Sequence, residues 1–198
     1  MFPFLESIRL EQNQLYFLKE HENRFRCTQQ DNWGKVLYQD LESILLNSPD
    51  LPRDAHKYKC RLVYDEQNIQ LSFIPYRPRT IEYFRIVQKD DINYTYKSTD
   101  RSALDQLTRD LPPKTEILIF KNGLLTDSSF SNLALFDGQQ WYTPKKPLLK
   151  GVHRSYLLQK GILKEMDIPI EDLQRYKRIR LINAMMDWEH TWETNLVI

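Results

Sequence analysis

Residues 116–127 read EILIFKNGLLTD. The apolar run that precedes Lys121 is typical of a buried strand, and a second apolar run begins at Leu124. Between them stands Asn122-Gly123, a pair that accepts the positive φ angles of a two-residue hairpin turn. The stretch therefore predicts two antiparallel strands, 116–120 and 124–126, in the second half of the chain.

The patterns on either side of this hairpin predict an α+β chain. Two prolines within residues 75–79 interrupt strand and helix, so this segment is the best candidate for a linker. We therefore expect a small N-terminal lobe over residues 1–78 and a larger, strand-rich lobe over residues 79–198. The other predicted strands cover residues 4–10, 15–18, 58–64, 69–74, 81–87, 132–136, 140–143 and 179–182, and the predicted helices cover 20–29, 33–46, 100–111, 152–160 and 188–193.

Composition excludes several classes of partner and site. The 198 residues carry a formal net charge of +1, which gives no reason to expect nucleic acid or an anionic membrane as a partner. Neither a signal-peptide pattern nor an apolar run of about 20 residues occurs, so we expect a cytoplasmic protein. Cys27 and Cys60 form no CxxC pair and the four histidines lack ligand spacing, so no metal site is expected.

One lysine stands in an unusual setting. Lys97 ends the aromatic-rich run Tyr94-Thr95-Tyr96 and precedes a predicted helix. Neighbouring apolar groups can lower the pKa of such an amine by desolvation, which frees it to attack a carbonyl. Position alone favours the alternative, an exposed lysine before a helix. Neither a GxGxxG nor a Walker A loop, an HExxH pair or a GxSxG elbow offers a competing site.

Four separated stretches together resemble the class IV (fold-type IV) pyridoxal-5′-phosphate (PLP)-dependent aminotransferase family, and especially its aminodeoxychorismate lyase branch. The resemblance spans residues 5–186 and implies a two-lobe architecture similar to D-amino acid aminotransferase. The usual N-terminal strands of that family are not matched, so a trimmed first lobe is expected. The stretches are LESIR (5–9) with HENR (21–24), YKSTDR (96–101), NGLLTD (122–127) with SNL (131–133), and YTP (142–144) with LLKGVHR (148–154) and LINAMM (181–186).

The resemblance implies a PLP site and a role for each matching residue. Lys97 would bind the cofactor aldehyde through its amine and move protons during the reaction. Arg24 would hold the phosphate, since a guanidinium offers donors in a fixed fork. The backbone N–H groups of Val152 and His153, at a predicted helix start, and those of Asn183 and Ala184 would add phosphate donors.

Asp127 would face the pyridine nitrogen and keep it protonated. The family has Glu at this place, and Asp is shorter by one methylene. The alternative is an ordinary turn aspartate that caps Ser129 or Phe130. Asn132 is expected to order the loop. Arg101 follows the lyase pattern and would bind a substrate carboxylate, whereas the positions of Arg61, Arg77 and Arg79 do not allow a ranking.

Three functions remain open at this point. The first is a lyase that converts 4-amino-4-deoxychorismate to 4-aminobenzoate and pyruvate for folate biosynthesis. The second is a class IV aminotransferase acting on branched-chain or D-amino acids, and the third is a catalytically degenerate PLP-binding protein. Each would bind a small-molecule substrate or cofactor, and the resemblance implies a homodimer.

Overall fold

The computed structural model describes residues 3–189 and 193–195. The chain forms two compact units. The first unit comprises residues up to Arg77 together with Tyr96–Asp100, and the second comprises Pro78–Thr95 and the residues from Arg101 onward. The segment 96–100 therefore lies with the first unit, although the predicted boundary after residue 78 placed it in the second lobe.

The first unit is built on a four-stranded antiparallel sheet of order β2-β1-β3-β4. Ile8 lies opposite Cys60 in the pairing of the two central strands. The predicted alternation along 58–64 is confirmed, since Cys60, Leu62 and Tyr64 are buried. The elements are β1 (Phe4–Glu11), β2 (Gln14–Leu15), α1 (Leu18–Trp33), α2 (Leu41–Leu46), β3 (Tyr58–Tyr64) and β4 (Ile69–Pro75).

Aromatic packing holds α1 against this sheet. The Phe25 and Tyr64 rings meet edge to face with their centroids 4.5 Å apart, the arrangement that the ring quadrupoles favour. Leu41 and Leu45 bring α2 onto the same core. The core of the first unit is thus assembled from both helices and the sheet.

Two predictions in this unit are wrong. The helix predicted for 33–46 is broken, because Gly34 adopts φ 67° and ends α1 there. α2 begins only at Leu41, where the Asp40 carboxylate accepts a hydrogen bond from the Ser43 N–H. The strand predicted for 15–18 is cut short, since α1 begins at Leu18.

The second unit contains two sheets, β5-β6-β7 and β10-β9-β8-β11-β12. β5 pairs with β6 and β9 with β10 in parallel, and the remaining pairs are antiparallel. The elements are β5 (Tyr83–Gln88), α3 (Ser102–Thr108), β6 (Thr115–Lys121), β7 (Leu124–Asp127), β8 (Asn132–Phe136), β9 (Trp141–Pro144), α4 (Val152–Gln159), β10 (Leu163–Met166), a 3₁₀ turn (Ile170–Arg175), β11 (Arg178–Ile182) and β12 (Glu193–Asn195).

The predicted hairpin at 116–126 is confirmed. Asn122 and Gly123 have φ angles of 51° and 75°, so both occupy the left-handed region that this tight turn requires. Leu118, Phe120 and Leu125 are buried in one cluster with residues of β8 and β11. The hairpin therefore contributes buried side chains from both of its strands to the core of the second unit.

Two elements of this unit were missed from the sequence. β10 has one buried residue, Leu163, followed by three exposed ones, so it lacks the alternation that indicates a strand. The 3₁₀ turn Ile170–Arg175 is a single short element with equally weak periodicity. The helix predicted for 188–193 falls partly outside the described residues, and its last residue, Glu193, lies in β12. Within residues 3–189 and 193–195, no helix combines the length and the apolarity that a membrane crossing needs.

Leu62→Ala should destabilise the protein by about 3 kcal/mol, because the fully buried leucine would leave a cavity in the first unit's core. Urea denaturation followed by fluorescence measures the change. Leu46→Ala is the matched control, since this side chain is 47% exposed. An equal loss in both variants would contradict the placement of Leu62.

Candidate active site

Glu6 is the centre of a buried charged cluster in the first unit. Its carboxylate, 0% exposed, accepts hydrogen bonds from Arg24 Nε at 2.9 Å and from Arg24 Nη2 at 2.5 Å. The Nδ1 atom of His21 lies 2.6 Å from Oε2 of the same carboxylate, the oxygen that also accepts from Arg24 Nη2. His21 and Arg24 are three residues apart in α1 and so lie on one helix face, toward β1.

The electrostatics of this cluster favour a charged Glu6 and a neutral His21. Burial opposes ionisation, but the charge of Arg24 and the hydrogen bonds from His21 and Arg24 lower the pKa of Glu6 to about 2. Burial lowers the pKa of His21, and the charges of Arg24 and Lys97 act in the same direction. A neutral imidazole facing a carboxylate donates from Nδ1, so Nε2 is left as an acceptor. Among the described residues, this buried Nε2 atom has no hydrogen-bond partner.

Lys97 lies in the first unit, in the segment 96–100 that runs antiparallel to the start of β1. The Leu5 N–H donates to the Lys97 carbonyl at 2.8 Å, and Ser98 forms a β-bridge with Phe4. β5 ends at Gln88, so Lys97 stands well after this strand, next to the isolated bridge that Ser98 forms. The half-buried lysine shares the first unit with Arg24, and both charges act on His21.

Asp127 ends β7 in the second unit and is held by its surroundings. Its Oδ1 atom accepts a hydrogen bond from the Asn132 amide, and its Oδ2 atom accepts one from the Leu148 N–H. A longer bond of 3.4 Å comes from the Leu149 N–H. The carboxylate thereby fastens the loop before α4 to the end of β7, a structural role that the sequence did not indicate.

The predicted alternative for Asp127, a cap on Ser129 or Phe130, is wrong. Ser128 Oγ accepts from the Phe130 N–H at 3.3 Å, and the buried Glu116 accepts from the Ser129 N–H at 3.0 Å. Other residues thus accept the hydrogen bonds from the N–H groups of this turn, and Asp127 accepts from the loop at 148–149 instead.

The loop before α4 approaches β8 closely. Asn132 donates its amide hydrogens to Asp127 and to the Leu149 carbonyl, the latter at 2.8 Å, which agrees with its expected ordering role. A Cβ atom at Gly151 would collide with the Asn132 side-chain oxygen. Gly151 is the N-cap of α4 and provides no side-chain cap. The N–H groups of Val152 and His153 therefore start the helix without a side-chain acceptor at the cap position.

The predicted phosphate donors of the second unit lie in adjoining segments. The His153 Nδ1 atom lies 2.9 Å from the Asn183 carbonyl oxygen, which joins the first turn of α4 to the turn after β11. Asn183 also accepts hydrogen bonds from Met185 N–H at 2.9 Å and Met186 N–H at 3.1 Å, so it shapes the turn in which Ala184 stands. The structure thus brings residues 152–153 and 183–184 together.

Arg101 is fixed at the start of α3. Its Nη2 atom donates to the Ser129 carbonyl at 2.8 Å, its Nε atom lies 3.5 Å from Asp105 Oδ1, and its guanidinium lies 5.8 Å from the Tyr94 ring centroid. The arginine therefore lies beside the turn 128–131 that follows Asp127.

The stability of the protein should depend on the ionisation of Asp127. Burial raises the pKa of this carboxyl from 3.8 to about 8, although the hydrogen bonds from Leu148, Asn132 and Leu149 favour the charged form. A folded-state pKa above the unfolded value means that the stabilisation is complete below pH 3.8 and is lost as the pH rises toward about 8. The free-energy difference between the wild type and Asp127→Asn should fall across that interval.

Urea denaturation at a series of pH values measures this difference, because other titrating groups contribute equally to both proteins. Asp137→Asn is the control. Hydrogen bonds from the Gln140 and Gln139 N–H groups lower the pKa of Asp137, so its difference should instead rise with pH, and at more acidic values. A pH-independent difference for Asp127→Asn would contradict the buried, neutral-favouring environment.

Gly151→Ala should destabilise the protein by about 1–3 kcal/mol, because the added methyl group overlaps the Asn132 amide. Backbone strain is not the cause, since Gly151 has φ −70°. In an Asn132→Ala background the overlapping group is gone, so the penalty for Gly151→Ala should largely disappear. Thermal denaturation of the four proteins tests the coupling, and additive effects would refute it.

Comparisons with known proteins place the chain among enzymes of one family. The model of the family described as amino-transferase class IV matches residues 85–189. An uncharacterized protein of Haemophilus influenzae is 32% identical over 185 residues, which is 93% of this chain and 98% of the relative.

Solved structures agree in fold. A proposed 4-amino-4-deoxychorismate lyase from Haemophilus somnus 129pt superposes with a TM-score of 0.85 at 32% identity, covering 93% of this chain and 97% of that one. A proposed amino-acid aminotransferase from Mesorhizobium loti gives a TM-score of 0.81 at 19% identity over 100% of both chains. An aminotransferase from Brucella abortus with bound PLP gives 0.70 at 15% identity, over 92% of this chain and 78% of that one.

The predicted fold-type IV architecture is therefore confirmed, and so is the resemblance carried by the four sequence stretches. The family model covers more than half of the residues, and the Haemophilus influenzae relative matches over nearly its whole length. This chain belongs to the class IV aminotransferase family, whose PLP-dependent members are transaminases and lyases.

Proposed function

We propose that this protein is a PLP-dependent lyase that converts 4-amino-4-deoxychorismate to 4-aminobenzoate and pyruvate. The observation that carries the proposal is the Lys97-x-x-x-Arg101 pattern, in which Arg101 is fixed to the Ser129 carbonyl beside the turn after Asp127. The 32% identity with the proposed lyase of Haemophilus somnus over 93% of the chain supports the same reaction.

The residues present fit a phosphate-bearing cofactor. Arg24 is a charged guanidinium backed by an ionised Glu6, and the start of α4 offers N–H groups without a side-chain cap. As candidate phosphate ligands we propose Arg24 in the first unit and, in the second unit, the N–H groups of residues 152–153 and 183–184.

Bound PLP supplies an electron sink for the pair of electrons left on the amine-bearing carbon of the substrate. Lys97 would hold the cofactor through its side-chain amine. With the substrate bound, Lys97 Nζ would take the proton from the amine-bearing carbon as a general base. The bond from the neighbouring carbon to the enolpyruvyl oxygen then breaks, the ring becomes aromatic, and the departing enolpyruvate gains a proton to become pyruvate.

Asp127 is proposed to face the pyridine nitrogen. Its Oδ1 atom accepts one hydrogen bond, from Asn132, so it retains the capacity to accept another. A cationic pyridinium beside this carboxyl would favour its charged form and would oppose the raised pKa. Arg101 is proposed to bind a substrate carboxylate, for which a guanidinium has matching geometry.

Transamination is the second candidate, and the family to which the chain belongs favours it. The same lysine and phosphate donors would serve a transaminase acting on branched-chain or D-amino acids. The two reactions differ in what happens after proton removal: Lys97 Nζ would return the proton to the cofactor side instead of allowing a group to leave. A cytoplasmic homodimer that takes part in folate biosynthesis is proposed from the same resemblance.

Lys97→Ala should lower lyase turnover by at least about 100-fold, because it removes the proposed general base. The wild type with added PLP should absorb visible light, and borohydride reduction followed by peptide mapping should place the label on Lys97. Lys89→Ala is the control, since the side chain of this lysine is 41% exposed and pairs with Asp91.

Formation of 4-aminobenzoate and pyruvate by the wild type distinguishes the lyase from the transaminase, which would instead convert PLP to its amine form with an amino acid. A label spread over surface lysines would contradict the assignment of Lys97. A labelled protein that acts on neither class of substrate would favour the degenerate PLP-binding alternative.

A further inference from the structure

The buried cluster of the first unit contains a carboxylate that has no place in the proposed reaction. Glu6 is fully buried, and it pairs with Arg24, whose side chain is 15% exposed. Burying an ion pair costs desolvation that the attraction between the charges only partly offsets, so such a pair is a poor device for stability alone. A carboxylate that is retained at this cost calls for another explanation.

The geometry of the pair restrains the arginine. Glu6 Oε1 accepts from Arg24 Nε and Oε2 accepts from Arg24 Nη2, which is a bidentate contact along one edge of the guanidinium. A planar group held at two points on one edge has a fixed plane and a fixed opposite edge. The opposite edge, which carries Nη1, is therefore held in a single orientation, directed away from Glu6.

His21 restrains the carboxylate in turn. Its Nδ1 atom lies 2.6 Å from Glu6 Oε2, and both side chains are fully buried. Glu6 Oε2 thus meets donors from two residues of α1, whereas Oε1 meets Arg24. The carboxylate is held in place by the helix that carries the arginine it orients.

We propose that Glu6 is a positioning residue that aims the Arg24 guanidinium at the phosphate of the cofactor. This inference rests on the proposed function, because it needs a phosphate-bearing ligand at Arg24. Glu6 touches neither the substrate nor the cofactor in this role. It fixes the plane of the Arg24 guanidinium, whose N–H groups can bind the phosphate only when that plane is aligned with it.

Comparison of PLP with pyridoxal tests the inference, since the two ligands share the aldehyde and ring and differ in the phosphate. The measurement is the dissociation constant of each by absorbance titration of the full-length protein. In the wild type PLP should bind more tightly than pyridoxal. Glu6→Gln should weaken PLP binding by roughly tenfold or more while leaving pyridoxal binding nearly unchanged, since a misaligned charged hydrogen bond costs about that factor.

Two further variants sharpen the result. Glu11 lies on the same strand as Glu6, and its carboxylate pairs with Arg9 and Lys57. Glu11→Gln should leave unchanged the preference for PLP, defined as the dissociation constant of pyridoxal divided by that of PLP. Arg24→Lys keeps the positive charge but lacks the planar guanidinium, so it should by itself lower the preference for PLP over pyridoxal. In that background Glu6→Gln should have little additional effect on this preference, because the two residues act as one unit.

If Glu6→Gln does not fold, Glu6→Asp serves the same purpose, because it keeps the charge and withdraws it by one methylene from the fork. Equal weakening of PLP and pyridoxal by the folded variant would overturn the positioning role while leaving the proposed function intact. A wild type that binds neither ligand would overturn the proposed function, and the inference with it.

Discussion

The removal of the Glu6 carboxylate from water is the constraint on which the first unit's site depends. A buried charge of this kind persists only when partners replace the lost hydration, and here two residues of α1 do so. The strand that carries Glu6 and the helix that carries Arg24 must therefore keep their mutual register. The edge-to-face contact between Phe25 of α1 and Tyr64 of the neighbouring strand β3 holds the helix on this sheet.

The second unit also buries a carboxylate, but under the opposite electrostatic condition. Asp127 is surrounded by neutral N–H donors, and burial raises its pKa to about 8, whereas Glu6 faces a cation and has a pKa of about 2. Neutral donors favour the charged form less strongly than a guanidinium does. The stretches LESIR and NGLLTD thus place their acidic residues, Glu6 and Asp127, in environments that prefer different protonation states. Residue identity alone cannot reveal this difference.

Much of the fold could be predicted from the sequence, because local signals there agree with the tertiary structure. The Asn122-Gly123 hairpin and the alternation along 58–64 have unambiguous periods and turn residues. β10 gives no strand signal, because three of its four residues are exposed. The apolar spacing over 33–46 continues past Gly34, whose left-handed conformation ends α1 in the structure. The roles assigned to Lys97 and Arg24 came from family resemblance and remain predictions. The charged cluster around Glu6 and the contacts of Asp127 with the loop at 148–149 join residues distant in sequence, and no local pattern indicates them.

The assignment of residues 96–100 to the first unit bears on how the protein can be divided. The chain enters the second unit at Pro78, returns for five residues that include Lys97, and leaves again at Arg101. A cut in the proline-rich linker would leave this segment attached to the second fragment, although its backbone hydrogen bonds run to the start of β1. Fragments expressed from two genes split at that point would each be incomplete, and the second would have to lend its segment to the first. The linker has the sequence of a domain boundary, but the first unit takes residues from both sides of it. Neither unit can therefore be transferred to another protein as one continuous stretch of sequence.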